Sequence, residues 1–112
     1  MFVKRFDEVK KEDVHEEGAK NVQIQWLIDE KVAPNFAMRR FTIKENGYTP
    51  LHKHDWEHEV FVLEGEGALV DENGNEHPLK PGNFALVEPN EIHQFKNKGK
   101  GDFIFLCLIP LK

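Results

Sequence analysis

Four of the six histidines in this 112-residue chain are spaced so that their imidazoles could enclose one cation. His52 and His54 stand two apart, so on an extended strand both side chains leave by the same face. His58 follows after the short bend Asp55-Trp56-Glu57, and His93 stands far downstream, just after the turn Pro89-Asn90. Imidazole is the usual nitrogen ligand for Zn, Cu, Fe, Ni and Mn, and three or four on one face can hold such an ion. A lone His-x-His is a weak signal, because surface histidines also produce it. His15 and His77 lie in polar segments with no partner pattern and are assigned no role.

Positions 52 and 93 meet only in a fold that doubles the chain back, and the remaining pattern supplies short strands for it. Val22, Ile24, Trp26 and Ile28 alternate with mostly polar neighbours, as do Phe41 and Ile43 with Arg40, Thr42 and Lys44. Glu59-Val60-Phe61-Val62-Leu63 reads as a strand buried on both sides, ending at Gly65-Glu66-Gly67. Asn73-Gly74, between Ala68-Leu69-Val70 and Glu76-His77-Pro78-Leu79, is a hairpin signal. Pro81-Gly82 precedes a strand from Phe84 to Val87, Pro89-Asn90 precedes one from His93 to Phe95, and Phe103 to Ile109 is almost wholly apolar. Turn signals recurring every eight to twelve residues or so predict an all-β sandwich or barrel. Only Asp7 to Lys20 has the latitude to be helical, and it is too polar to be core.

A chain of this length makes one domain, residues 1–112, that buries about two-thirds of its unfolded surface. With 39% hydrophobic and 31% charged residues and nine Phe, the composition is that of a globular protein. A formal charge of −5 argues against nucleic acid or an anionic membrane as the main partner. The Met1 segment carries Lys4, Arg5 and Asp7 where a secretory signal needs an apolar run, and no stretch is apolar enough to span a membrane. The single cysteine, Cys107, excludes an internal disulfide and fits a cytoplasmic location. Lys and Glu supply most of the charge, a composition enriched in heat-adapted proteins.

Two blocks of this sequence resemble the paired signature of the cupins, small β-barrels that hold a metal between strands. The first family block is Gly, about five residues, His-x-His, three or four residues, Glu, six residues, Gly. Here it runs Gly47, Tyr48 to Leu51, His52-Lys53-His54, Asp55 to Glu57, His58, Glu59 to Glu64, Gly65. The second block is Gly, five residues, Pro-x-Gly, two residues, His, three residues, Asn; here it runs from Gly82 through Glu88-Pro89-Asn90 and His93 to Asn97. The resemblance covers roughly residues 36 to 109 and implies an all-β cupin double-stranded β-helix, a jelly-roll barrel.

The departures from the pattern are informative. The acidic ligand position, six residues before Gly65, is occupied by His58. Glu59 fails that count by one, and strand parity puts Glu59, Phe61 and Leu63 on one face and His58, Val60 and Val62 on the other. Glu59 is therefore expected behind the site or facing outward. Glu88 replaces the family Pro, and Asn90 replaces the Gly, a mild change because Asn tolerates the left-handed conformation. The chain looks like the small single-domain cupins of thermophiles with an all-histidine manganese site. That resemblance implies His52, His54, His58 and His93 as ligands of one divalent transition metal per chain. Mn²⁺ or Fe²⁺ is favoured, with Zn²⁺, Ni²⁺ or Cu²⁺ as further candidates.

Four neutral ligands would leave the ion's +2 charge uncompensated and make it a stronger Lewis acid, with open positions for water, substrate, O₂ or peroxide. Arg39 shares parity with Phe41 and Ile43, so its charge sits on an apolar face and needs a partner. That partner is either an anionic substrate group or an internal one: Glu88, Glu59 or a backbone carbonyl. Phe41, Val60, Phe95, Phe105 and Cys107 are the other residues expected at the substrate pocket, and Trp56 is expected to pack in its bend. The first functional expectation is an oxidoreductase using O₂ or peroxide on a small organic molecule, although no residue stands out as catalytic base. A non-catalytic small-molecule or metal sensor, and a cupin isomerase or decarboxylase, are the alternatives. Exposed barrel edges need cover, so residues 1–30, including Phe2, Val3 and Trp26, are expected to pair with a second subunit in a homodimer.

Overall fold

Alternating β-branched and aromatic residues form strands wherever the turn residues leave room for them, nine among the described residues 1–111 of the computed structural model. These are β1 (Glu12–Asp13), β2 (Lys20–Ile28), β3 (Phe36–Tyr48), β4 (His58–Glu64), β5 (Gly67–Val70), β6 (Glu76–Leu79), β7 (Phe84–Val87), β8 (Gln94–Asn97) and β9 (Phe103–Pro110). All pairings are antiparallel, in the order β6-β5-β8-β3-β9-β4-β7, with β2 added to β3 and β1 to β2. The long β3 joins the two halves of the resulting nearly closed barrel. Its residues Phe36 to Ile43 pair with β9, and its last residue, Tyr48, meets Lys96 of β8.

Inward positions of β2, β3, β4, β8 and β9 pack a core around Phe103, Phe105, Ile43 and Val62, all fully buried. Burial of each such side chain contributes roughly 1.5–3 kcal/mol. Gly67 exists because of this core: a Cβ there would lie 2.3 Å from a ring carbon of Phe103. Gly67→Ala is accordingly expected to cost about 1–3 kcal/mol through overpacking. Urea unfolding measures this, and an unchanged midpoint would mean that the Phe103 ring yields.

Two local expectations are corrected, for β4 and for the segment Asp7 to Lys20, while the hairpin expected at Asn73-Gly74 forms. β4 is buried on one face only: His58, Val60 and Val62 point inward, while Phe61 and Leu63 are 46% and 41% exposed. Apolar composition signals a strand but does not say how many faces are covered. The Asn73-Gly74 signal marks a hairpin with a five-residue loop, Asp71 to Asn75, in which the Asp71 carboxylate accepts the N–H groups of Asn73 and Asn75. The segment Asp7 to Lys20 holds no α-helix; a 3-10 turn at Phe6–Glu8 leads to β1.

That N-terminal segment is tied to the outside of the barrel by Gln25, which is 2% exposed. Its amide donates to the carbonyls of Phe6 and Val9, and its oxygen accepts from Arg40, whose guanidinium lies 4.1 Å from the Phe6 ring centroid. Asn97 closes the loop before β9 by donating to the carbonyls of Ile43 and Gly101. No helix among the described residues is long and apolar enough to cross a membrane.

Candidate metal centre

Backbone pairing places two of the histidines face to face. Beyond the end of β3, Thr49 bonds Phe95 through both N–H to O and N–H to Oγ1 contacts. Three residues later His52 and His93 form an isolated antiparallel bridge, with reciprocal N–H to O bonds of 3.1 and 2.9 Å. His58 opens β4 opposite Val87 with its side chain turned inward, 5% exposed. His54 lies in the connecting loop, where its carbonyl accepts the N–H of Asn90 at 2.6 Å and its ring stacks on Trp56, 4.5 Å away and 6° from parallel. Asn90 adopts φ 70°, the left-handed conformation expected for the residue replacing the family glycine.

These constraints gather the four imidazoles. Ring centroids are 4.4 Å apart for His52 and His54, 4.9 Å for His58 and His93, 5.2 Å for His52 and His93, 5.3 Å for His54 and His58, and 6.3 Å for His54 and His93. Imidazoles sharing one ion through bonds of about 2.1 Å have centroids about 4.5 Å apart at right angles and about 6.5 Å apart when opposite. The separations fall in that range, but the rings are gathered without being closed into a coordination sphere. Among the described residues no group of three or more His, Cys, Asp or Glu side chains is arranged to hold a metal ion.

The donor set nevertheless suits a transition metal. His93 Nδ1 lies 2.9 Å from the carbonyl of Glu91, an acceptor, so Nδ1 carries the proton and Nε2 the lone pair. His52 Nδ1 lies 3.3 Å from the Glu16 carboxylate, with the same consequence. His58 Nδ1 is buried without a partner, leaving Nε2 as the nitrogen available to the cavity. Burial, reinforced by neighbouring imidazoles and Arg39, pushes His58 down to about 3. Burial also lowers His54, helped by His52 and His93, and lowers His93. The neutral form that ligation requires is thus the form the site favours.

All four rings line a cavity of about 340 Å³ together with Arg39, Phe41, Phe95, Phe105 and Cys107, as the sequence suggested. Val60 does not line it; this residue is packed in the core, one pair further along β4 than His58. Glu59 faces outward. Trp56 lies on the cavity wall, and Trp26 and Glu16 line it as well. Glu16 was not foreseen, because its segment reads as a polar surface and its partner is 36 residues away.

Arg39 takes neither kind of internal partner expected for it. Its Nη2 donates to Cys107 Sγ at 3.0 Å, and its guanidinium lies 5.0 Å from the Phe41 ring centroid and 5.6 Å from that of Trp26. Its Nε is buried with no partner, and among the described residues no carboxylate forms an ion pair with it. Burial pushes the Cys107 thiol up, against the pull of the guanidinium, so the thiol stays neutral. A guanidinium cannot shed its charge, and this one stands without a carboxylate partner in the cavity that the four imidazoles line.

The chain matches the Cupin domain family over residues 39–109. It is similar to the oxalate-binding protein of Thermotoga maritima, 32% identical over 97 residues that span 84% of this chain and 79% of that one. An L-ectoine synthase of Mycolicibacterium vanbaalenii is 33% identical over 97 residues, 84% of this chain and 72% of the synthase. Among solved structures, the polyketide cyclase RemF of Streptomyces resistomycificus superposes with a TM-score of 0.94 at 35% identity, covering 100% of this chain and 80% of that one.

Proposed function

The chain belongs to the cupin family, and we propose that it is a metal-dependent cupin acting on a small organic anion. In this reading His52, His54, His58 and His93 hold one divalent ion, with Mn²⁺ or Fe²⁺ favoured. The observation that carries the proposal is that four imidazoles and a guanidinium with no carboxylate partner share one apolar-walled cavity. A divalent ion with four uncharged ligands supplies Lewis acidity toward oxygen atoms of a bound substrate. Arg39 neutralises and orients the anion, while Phe41, Phe95 and Phe105 keep water from it. Oxalate, which a relative is named for binding, is a small anion of the size and charge this cavity suits.

The reaction we propose is bond rearrangement or ring closure rather than oxidation. Two of the similar proteins are named a polyketide cyclase and an L-ectoine synthase, and these names move the expectation away from O₂ and peroxide chemistry. The test uses protein purified without an affinity tag and loaded with Mn²⁺. Oxalate should bind in calorimetry, and a panel of small carboxylates and enolisable acids should show turnover without oxygen uptake in an oxygen electrode. Oxygen uptake would restore the oxidoreductase; binding without any turnover would leave a sensor or storage module.

Assembly as a homodimer, in the reducing cytoplasm that Cys107 suits, completes the proposal. Phe2, Val3 and Trp26 are exposed and stay available to a second subunit, and we assign to the partner a further apolar face on the barrel. Phe61, Leu63, Phe84 and Leu86, on the outer face of β4 and the edge strand β7, are 46%, 41%, 80% and 58% exposed. Their exposed area is on the order of 400 Å², against about 800 Å² per partner in a standard interface. Sedimentation should show a dimer in the parent and a shift to monomer in Phe84→Lys. A monomeric parent removes the assembly from the proposal.

A further inference from the structure

Resting on the metal-binding reading above, we infer that Glu16 is a positioning residue for His52, so that the N-terminal segment is a working part of the site. Glu16 supplies the one carboxylate among the cavity-lining residues described, and its Oε2 lies 3.3 Å from His52 Nδ1. An ionised carboxylate only accepts hydrogen bonds, so the contact selects the tautomer with the proton on Nδ1 and the lone pair on Nε2. A carboxylate behind a ligating imidazole also fixes the ring's orientation and raises its basicity.

The segment that delivers Glu16 is built in, not draped over the surface. β1 pairs Glu12 with Ile24 and Asp13 with Gln23, and the Val14 N–H donates to the Val22 carbonyl at 2.9 Å. The Val14 side chain packs against the core. The turn that follows is closed by the Ala19 N–H on the Glu16 carbonyl at 3.0 Å. Gly18, at φ +93°, lies where a Cβ would sit 3.4 Å from Pro50, two residues before His52. Glu16 is thereby held beside the imidazole from both sides of its turn, although its own side chain is 55% exposed. A solvated surface pair of the same composition would have no consequence for ion binding, and that difference is measurable.

The experiment is calorimetric titration of the full chain with Mn²⁺. Glu16→Ala should bind the ion about 10–100-fold more weakly than the parent, the range seen when such a supporting group is lost. Glu16→Gln, whose amide oxygen still accepts from Nδ1, should recover most of that loss. In the metal-free protein the Glu16→Ala melting temperature should match the parent's, and long-range ¹⁵N–¹H spectra should show His52 losing its preference for the Nδ1–H tautomer. Equal affinity in parent and Glu16→Ala overturns the inference and leaves the metal site standing. Equal losses in the two variants, or a lower metal-free melting temperature in Glu16→Ala, also overturn it. A parent that takes up no ion removes this inference and the metal reading together.

Discussion

His58→Ala is expected to weaken Mn²⁺ binding by more than about 100-fold, beyond the loss from removing a group that merely supports a ligand. Burial pushes the His58 imidazole down to about 3, and its ring is turned inward at 5% exposure. Its ring is within 5.3 Å of His54 and 4.9 Å of His93, so its loss opens the middle of the cluster. The barrel should survive the change. Buried Nδ1 has no hydrogen-bond partner, and removing an unsatisfied polar atom offsets part of the cavity cost of truncation. His77→Ala is the control: that ring bonds the Asp71 carboxylate at 3.0 Å on the far hairpin and should leave ion binding unchanged. Metal analysis and calorimetry decide the matter, and undiminished uptake in His58→Ala would end the four-histidine assignment.

The second large effect is expected at Arg39. Arg39→Met should weaken oxalate binding to the Mn²⁺-loaded protein by about 10–100-fold, since a charge-assisted hydrogen bond contributes about 1.5–3 kcal/mol and each factor of ten about 1.4 kcal/mol. The same variant should bind Mn²⁺ at least as tightly as the parent, because it removes a fixed positive charge from the ion's surroundings. Methionine keeps apolar contact with Phe41 and Trp26 and leaves no buried Nε without an acceptor. Lysine should not restore anion affinity fully, because an ammonium lacks the planar fork that engages a carboxylate through two nitrogens. Opposite directions for anion and cation are the signature. A parallel fall in both would assign Arg39 to the architecture of the cavity.

Much of the fold is legible in the residues because strands repeat every second position and turn residues punctuate them. The same parity correctly separates His58, inside, from Glu59, outside, one residue apart. Parity fails to locate a residue along the barrel axis, and so Val60 falls in the core and not at the cavity. The partners of Glu16 and Arg39 are 36 and 68 residues away, set by how the barrel closes and not by any local pattern. A thiol is a weak acceptor, and sequence reasoning seeking a charge or carbonyl for Arg39 passes over Cys107. The single-sided exposure of β4 is hidden for a related reason: composition carries no record of whether another layer covers a face.

The reciprocal rung between His52 and His93 lies past the ends of the strands, flanked by the Thr49–Phe95 bonds on one side and by the Asn90 N–H on the His54 carbonyl on the other. Such terminal rungs fray more readily than the ladder interior. Parting that rung would separate two imidazoles in a single local event, without disturbing the packed core. In the four-histidine reading an ion bridging both rings would oppose that parting, and amide exchange at positions 52 and 93 is expected to slow when Mn²⁺ is added.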